Sequence, residues 1–249
     1  MTKLYIDANS GVAGDMVLDA LIGLGADPLH VAEGIKALRL ETYPGSDTGH
    51  EHEAEHVHKD EEGHIYTHTH ALRHRTFYDV KNIIGHAAID ESVKKTAIGI
   101  YTVIASAEAA VHDTKRIMVE FHEVGRDRAI SHVTGVALAL DDLGINTDAG
   151  DEIFVSDIVD GTGTVMAAHG RMTVPVPAVR KMAEQNGITI RQEMIPMEMI
   201  TPTGLGMVIG MGARQITNAE MAEAVKGASF GVGRGTRDTG KQGLRIFII

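Results

Sequence analysis

Two aspartates flank a small polar turn near the start of the chain, Asp7-Ala8-Asn9-Ser10-Gly11-Val12-Ala13-Gly14-Asp15. Before it, Leu4, Ile6 and Ala8 alternate with Tyr5 and Asp7 as in a strand; after it, Met16, Val17, Ala20, Leu21 and Leu24 mark one face of a helix. Where a strand turns into a helix, free backbone N–H groups favour an anion, so Ser10, Gly11 and Gly14 are candidate contacts for a phosphate. Asp7 and Asp15 would repel a bare phosphate unless a cation bridged the two. They are therefore candidate metal ligands beside it, at the carboxyl end of a strand, where open α/β sheets place their ligands. An ordinary turn with Asp15 capping the helix accounts for the same residues. Neither a GxxxxGK[ST] nor a GxGxxG pattern occurs.

A second chemistry belongs to histidine. Between Glu41 and His74 apolar residues nearly vanish, and His50, His52, His56, His58, His64, His68, His70 and His74 crowd together with Asp and Glu. Such a stretch cannot build a core, so 41–76 is expected to be a disordered insertion. Its imidazoles suit nickel, zinc, copper or cobalt, which makes it a candidate metal-collecting loop; a merely solvated loop is the other reading. The chain has no cysteine, so histidine and carboxylate must supply any metal ligands. A third place is His122-Glu123, between a stretch in which Ile117, Val119 and Phe121 alternate and a helix at Asp127–Leu143. A lone His–Glu pair there fits a surface hydrogen bond as well as a reactive dyad.

The elements that must position these groups alternate. A helix opens at Asp27-Pro28, and Val93, Ala97, Ile100, Ile104, Ala107 and Val111 mark a long amphipathic one. Glu152–Val159 reads as a strand, Pro177 opens a helix that stops at Gly187, and Ile188 and Ile190 suggest a further strand. Thr201-Pro202 starts a helix, and Gly204, Gly206, Gly210 and Gly212 follow. Each glycine costs about 1 kcal/mol against alanine, so close packing or a ligand must explain them. Thr217–Glu220 has capping-box spacing, Ser229–Thr236 is glycine-rich with Arg234 and then Arg237, and Leu244–Ile249 is an apolar strand. The expected architecture is α/β, with a mainly parallel or mixed sheet flanked by helices: a single domain over 1–249 that divides, if at all, near 150.

With 43% hydrophobic and 23% charged residues the composition is that of a soluble globular protein, and a net charge of −11 excludes nucleic acid as a partner. No apolar run is long enough to span a membrane and nothing resembles a signal peptide, so a cytoplasmic location is expected.

Taken in order, YIDANSGVAGDM (Tyr5–Met16), the histidine-rich insertion, FHEVG (Phe121–Gly125), GTGTV…AHG (Gly161–Gly170), VPVPA (Val174–Ala178), E-x-x-TPTG (Glu198–Gly204) and GVGRGTRD (Gly231–Asp238) resemble the nickel insertion proteins of the LarC type over nearly the whole chain. That resemblance implies nickel insertion into a pyridinium-3,5-bisthiocarboxylic acid mononucleotide, with two Ni–S bonds and one Ni–C bond formed and cytidine triphosphate hydrolysed. The chain would then be a nickel chelatase of the lyase class or its N-terminal subunit, acting on Ni²⁺. It implies His122, Glu123 and His169 as candidate bases for the departing ring proton, and Asp7, Asp15, His122 and Glu123 as releasable nickel ligands, Glu198 being a further candidate. Ser10, Gly11, Gly14, Thr201, Thr203, Arg234 and Arg237 are the implied contacts of the mononucleotide. Full-length members carry a C-terminal domain that binds the triphosphate, here expected as a separate partner using a second divalent cation, Mg²⁺ or Mn²⁺. A homo-oligomer is also expected. The chain departs from the family at Arg128 and His132, where carboxylates are usual, and at Ala167, where a cysteine is common. Arg128 disfavours a cation at that spot and favours an anion. Two other readings stay open: nickel storage or delivery through the histidine-rich loop, and action on a different nucleotide-like ligand.

Overall fold

The computed structural model describes residues 1–47, the backbone of 56–59 and 65–68, and residues 74–167, 170–236 and 238–249. The first third runs β1 (Lys3–Asp7), α1 (Gly14–Leu24), α2 (Pro28–Lys36), β2 (His56–Lys59), β3 (Ile65–His68), β4 (Arg75–Thr76) and α3 (Phe77–His86). The middle runs α4 (Glu91–Val111), β5 (Glu120–Phe121), α5 (Asp127–Asp142), β6 (Glu152–Val155), β7 (Ile158–Asp160), β8 (Thr164–Ala167) and β9 (Gly170–Thr173). The remainder is α6 (Pro177–Asn186), β10 (Ile190–Gln192), α7 (Pro202–Gly210), β11 (Arg214–Gln215), α8 (Asn218–Ala224), β12 (Phe230–Gly233) and β13 (Leu244–Ile248).

The main sheet is mixed, as an α/β reading allows: five strands in the order β11-β6-β1-β13-β12. β6 lies parallel to β1 and to β11, whereas β13 is antiparallel to both β1 and β12. The alternation in β1 decides its two faces. Leu4 and Ile6 enter the large core formed with α1, α4, α5 and α7, while Tyr5 joins Phe154, Phe247 and Met221 on the other face. There the Tyr5 and Phe154 rings stack at 4.9 Å.

The helix glycines answer to packing. A Cβ on Gly206 would lie 2.4 Å from Ile104 Cγ1, and one on Gly210 would lie 2.5 Å from Ile100 Cα, so α7 sits directly on α4. Two strand expectations change. Arg116–Met118 is a 3₁₀ turn and only Glu120–Phe121 pairs, with β4, because exposed Ile117 and Met118 have no sheet to face. Glu152–Val159 divides at Ser156-Asp157: the Ser156 hydroxyl accepts the Ala8 N–H at 2.9 Å and donates to Asp157 O, and β7 goes on to pair with β10 instead. Within the histidine-rich stretch, β2 and β3 pair antiparallel.

Candidate functional site

The turn after β1 is fastened to the segment that leads into α7. Val12 N–H donates to Met199 O at 2.9 Å, and Thr201 N–H donates to Val12 O at 3.0 Å. Gly11 has φ +86, and a Cβ there would lie 2.4 Å from Met199 O, so glycine alone fits. From below, the fully buried Asp160 accepts the N–H groups of Met199 and Ile200 at 2.8 and 3.1 Å. Thr201 caps α7 by accepting Gly204 N–H at 3.1 Å. These bonds bring Gly14 and Asp15, at the start of α1, beside Glu198, Thr201 and Thr203.

A second clamp presents His122 and Glu123. The buried Tyr101 hydroxyl donates to Val124 O at 2.8 Å. The buried Arg75 guanidinium donates to Pro44 O at 2.9 Å, Gly125 O at 3.1 Å and Asp127 Oδ1 at 2.6 Å. Burial would raise the Asp127 carboxyl, but hydrogen bonds from Ser46, Arg75 and Asp47 N–H hold it below its usual range. The turn is therefore tied to the first residue of α5 and to the strand that follows the histidine-rich stretch.

Between the two clamps lies a cleft of about 290 Å³. Asp15, Glu123, Glu198, His132, Arg126, Arg128 and Arg234 line it, with Thr201, Thr203, Thr236 and Thr239. Beside it lies a cavity of about 470 Å³ bounded by Glu108, His112, His122, β8, Met172 and the start of α6. Glu123 and Glu198 line both, and so form the wall they share.

The candidates from the sequence thus separate. Gly14, Asp15, Glu123, Thr201, Thr203 and Arg234 face the cleft, as do Arg128 and His132, and His122 faces the cavity. Asp7 does not line either: Arg245 of β13 pairs with it, and Asn9 donates to it from its backbone and side chain at 3.1 and 2.7 Å. Ser10 is buried beneath the turn and Gly11 is packed on Met199, so neither lines the cleft. His74 places its ring 4.5 Å from that of His122, and the His112 ring lies 5.9 Å from it. His50, His52, His64, His70, His169 and Arg237 lie outside the described residues, as do the side chains of His56, His58 and His68.

Asp15 is engaged as well. Its Oδ2 accepts from Arg128 at 3.2 Å and from the Thr236 N–H and hydroxyl at 3.3 Å, and its Oδ1 accepts Met16 N–H at 3.0 Å. The helix cap position belongs to Ala13, not Asp15. Burial pushes the His132 imidazole below its ordinary value; Asp15 opposes that and Arg128 adds to it. Burial, and then the charge of Glu123, push Glu108 up to about 7. Its carboxylate stands 3.6 Å from His112 Nε2, one turn along α4. Among the described residues no three His, Asp or Glu side chains are grouped to hold a metal ion, and no helix is long and apolar enough to cross a membrane.

Glu108, His112, Arg126, Thr236 and Thr239 escaped the sequence reading. For the first two a signal existed: a Glu-x-x-x-His pair ends a helix whose remaining face is small and apolar. The others carry no local sign, since only the fold brings their loops to α1.

Comparison with known proteins adds the following. The model of a family described as nickel insertion protein matches residues 4–248. A pyridinium-3,5-bisthiocarboxylic acid mononucleotide nickel insertion protein of Alkaliphilus metalliredigens is 34% identical over 262 residues, covering 99% of this chain and 60% of that protein. Proteins of the same name from Akkermansia muciniphila and Lactiplantibacillus plantarum are 33% and 35% identical, and the match covers 58% and 59% of their lengths. The chain therefore spans about 60% of the length of the curated relatives it matches. No solved structure matches it.

Proposed function

The chain belongs to the nickel insertion protein family, and on that premise we propose that it holds a pyridinium bisthiocarboxylate mononucleotide while Ni²⁺ is inserted into the ring. The observation that carries this reading is the wall of Glu123 and Glu198, drawn from two distant motifs and shared by a polar cleft and an adjoining cavity with His122 on its far side. Nickel is cargo here, so its ligands must let go. Two sulfurs of the ring substituents bind it, and carboxylate or imidazole from Glu123, Glu198 or His122 supplies the transient donors.

The Ni–C bond replaces a C–H bond, so one proton must leave the ring carbon. His122 and Glu123, which line the cavity, are the bases this reading assigns, and general-base help of this kind is worth about 10²–10⁴-fold. Glu108, held near neutrality, offers the next stop for that proton. His169 remains a candidate base outside the described residues. Asp7 and Asp15, paired with Arg245 and Arg128, serve the turn's geometry in this reading. Cytidine triphosphate hydrolysis with a second divalent ion, Mg²⁺ or Mn²⁺, falls in this reading to the part of the relatives' length that this chain does not span, and the assembly is a homo-oligomer in the cytoplasm.

The test is direct. Ni²⁺, the bisthiocarboxylate mononucleotide, cytidine triphosphate with Mg²⁺ or Mn²⁺ and the nucleotide-binding region of a relative are mixed with the chain, and the nickel adduct is followed by mass spectrometry and absorbance. Glu123→Gln and His122→Ala should each slow its formation by roughly 10²-fold or more. Wild-type rates in both variants would sink the assignment.

A further inference from the structure

We propose that the cleft and the cavity are the two ends of one elongated binding site, the phosphate of the mononucleotide lying among Arg126, Arg128 and Arg234 and its ring lying between β8–β9 and the start of α6. The inference rests on the substrate reading above and adds an orientation to it.

Size is the first argument. The cleft, about 290 Å³, falls at the floor of the roughly 300–1,000 Å³ range of ordinary ligand sites, whereas joined to a neighbour of about 470 Å³ it sits well inside that range. The join is not arbitrary, because Glu123 and Glu198 belong to both linings.

Charge is the second. The bisthiocarboxylate mononucleotide has a dianionic phosphate at one end, then a sugar, then a flat ring with a positive charge at the glycosidic nitrogen and two thiocarboxylate substituents. The two ends of the site differ in what they offer to it. Its outer end offers the three guanidinium groups, the threonine hydroxyls and the starts of α1, α5 and α7. The wall of Glu123 and Glu198 stands between the two ends. Beyond it, Val165, Met172, Val176 and Pro177 present apolar surface to the faces of a ring. Reversed, the ligand would set its dianionic phosphate, the group most costly to desolvate, against apolar side chains and Glu108.

The arginines can turn to the task. Arg126 pairs with Asp47 at 3.1 Å and Arg128 with Asp15 at 3.2 Å, but their side chains are 51% and 63% exposed, and pairs that open to water hold weakly. A guanidinium has five N–H donors, so a phosphate can be bound without giving up the carboxylate. Arg234 lies in the loop after β12, exposed at the rim of the cleft.

The two ends can be probed separately by calorimetry without nickel, using the bisthiocarboxylate mononucleotide and the nucleoside left when a phosphatase removes its phosphate. Arg234→Ala should weaken the mononucleotide about tenfold, as loss of one charge-assisted hydrogen bond does, and leave the nucleoside unchanged. Met172→Trp, which fills the cavity, should weaken both ligands about tenfold, and Ala167→Phe serves as an independent block if the first variant folds poorly. Equal losses for both ligands in Arg234→Ala, or unchanged affinities in both cavity variants, would overturn the orientation while the substrate reading stands. A wild-type chain that binds neither ligand would overturn both.

Discussion

Glu108 sits in the last turn of α4 with its carboxylate facing His112, which caps the helix, and feeling the charge of Glu123. Burial, and then that charge, raise it from the ordinary 4.5 to about 7. A carboxyl raised on folding binds its proton more tightly in the native state. Its contribution is complete below pH 4.5 and is lost as pH rises through 7. A Glu108→Gln variant cannot ionise, so it should match the wild type near pH 4 and exceed it by roughly 3 kcal/mol at pH 8. Urea unfolding across that range checks the sign; parallel curves would mean that the carboxylate is not held in a desolvated place. The carboxyl of Asp127 behaves differently, because it gains enough hydrogen bonds to outweigh its burial. Two groups of one type are thus set to opposite protonation habits by what surrounds them.

At the scale of elements, glycine decides how closely α1 lies on the sheet edge. A Cβ on Gly231 would stand 1.8 Å from Ala20 O, and one on Gly233 would stand 1.8 Å from Met16 O, so β12 runs directly under the backbone of the helix. That contact positions the first turn of α1, whose Asp15 lines the cleft, against the loop that carries Arg234. Gly233→Ala forces the helix away. It should cost about 1–3 kcal/mol of stability, the usual range for overpacking, and weaken mononucleotide binding with it. Denaturant unfolding and calorimetry together check this; unchanged binding in a destabilised variant would separate the packing from the site. Gly206 and Gly210 make the same kind of contact between α7 and α4 at the other side of the cleft.

For the molecule as a whole, the question is whether collecting nickel and inserting it are one task or two. His74, the last residue of the histidine-rich run, stands in ring contact with His122, so the run ends at the cavity. Replacing 48–73 by a short Gly/Ser linker should reduce the number of Ni²⁺ ions bound, because imidazole density sets that number, and leave mononucleotide affinity as it was. Calorimetric titration with each ligand decides it. An unchanged nickel count would rule out the loop as collector, whereas lost mononucleotide binding would show that the loop belongs to the site itself.

The sequence by itself settled the things that depend on neighbours in the chain. The strand–turn–helix at Leu4–Leu24, the amphipathic α4 and the capping box before α8 follow local rules of period and side-chain hydrogen bonding. So did the ordered motifs that place the chain in its family. Period alone failed where there was no sheet to face, as at Ile117, or where a strand left one sheet for another, as at Ser156. The partners of the charged groups were not legible either. Arg245 reaches Asp7 on β13 from 238 residues away, and Arg128 reaches Asp15 on α5 from 113. Whether a carboxylate is open to a metal or already neutralised is a matter of distances of a few ångströms between segments far apart in the chain. Those distances exist only once the sheet order and the helix packing are made, which is why residue types could be read in the string while their roles had to wait for the fold.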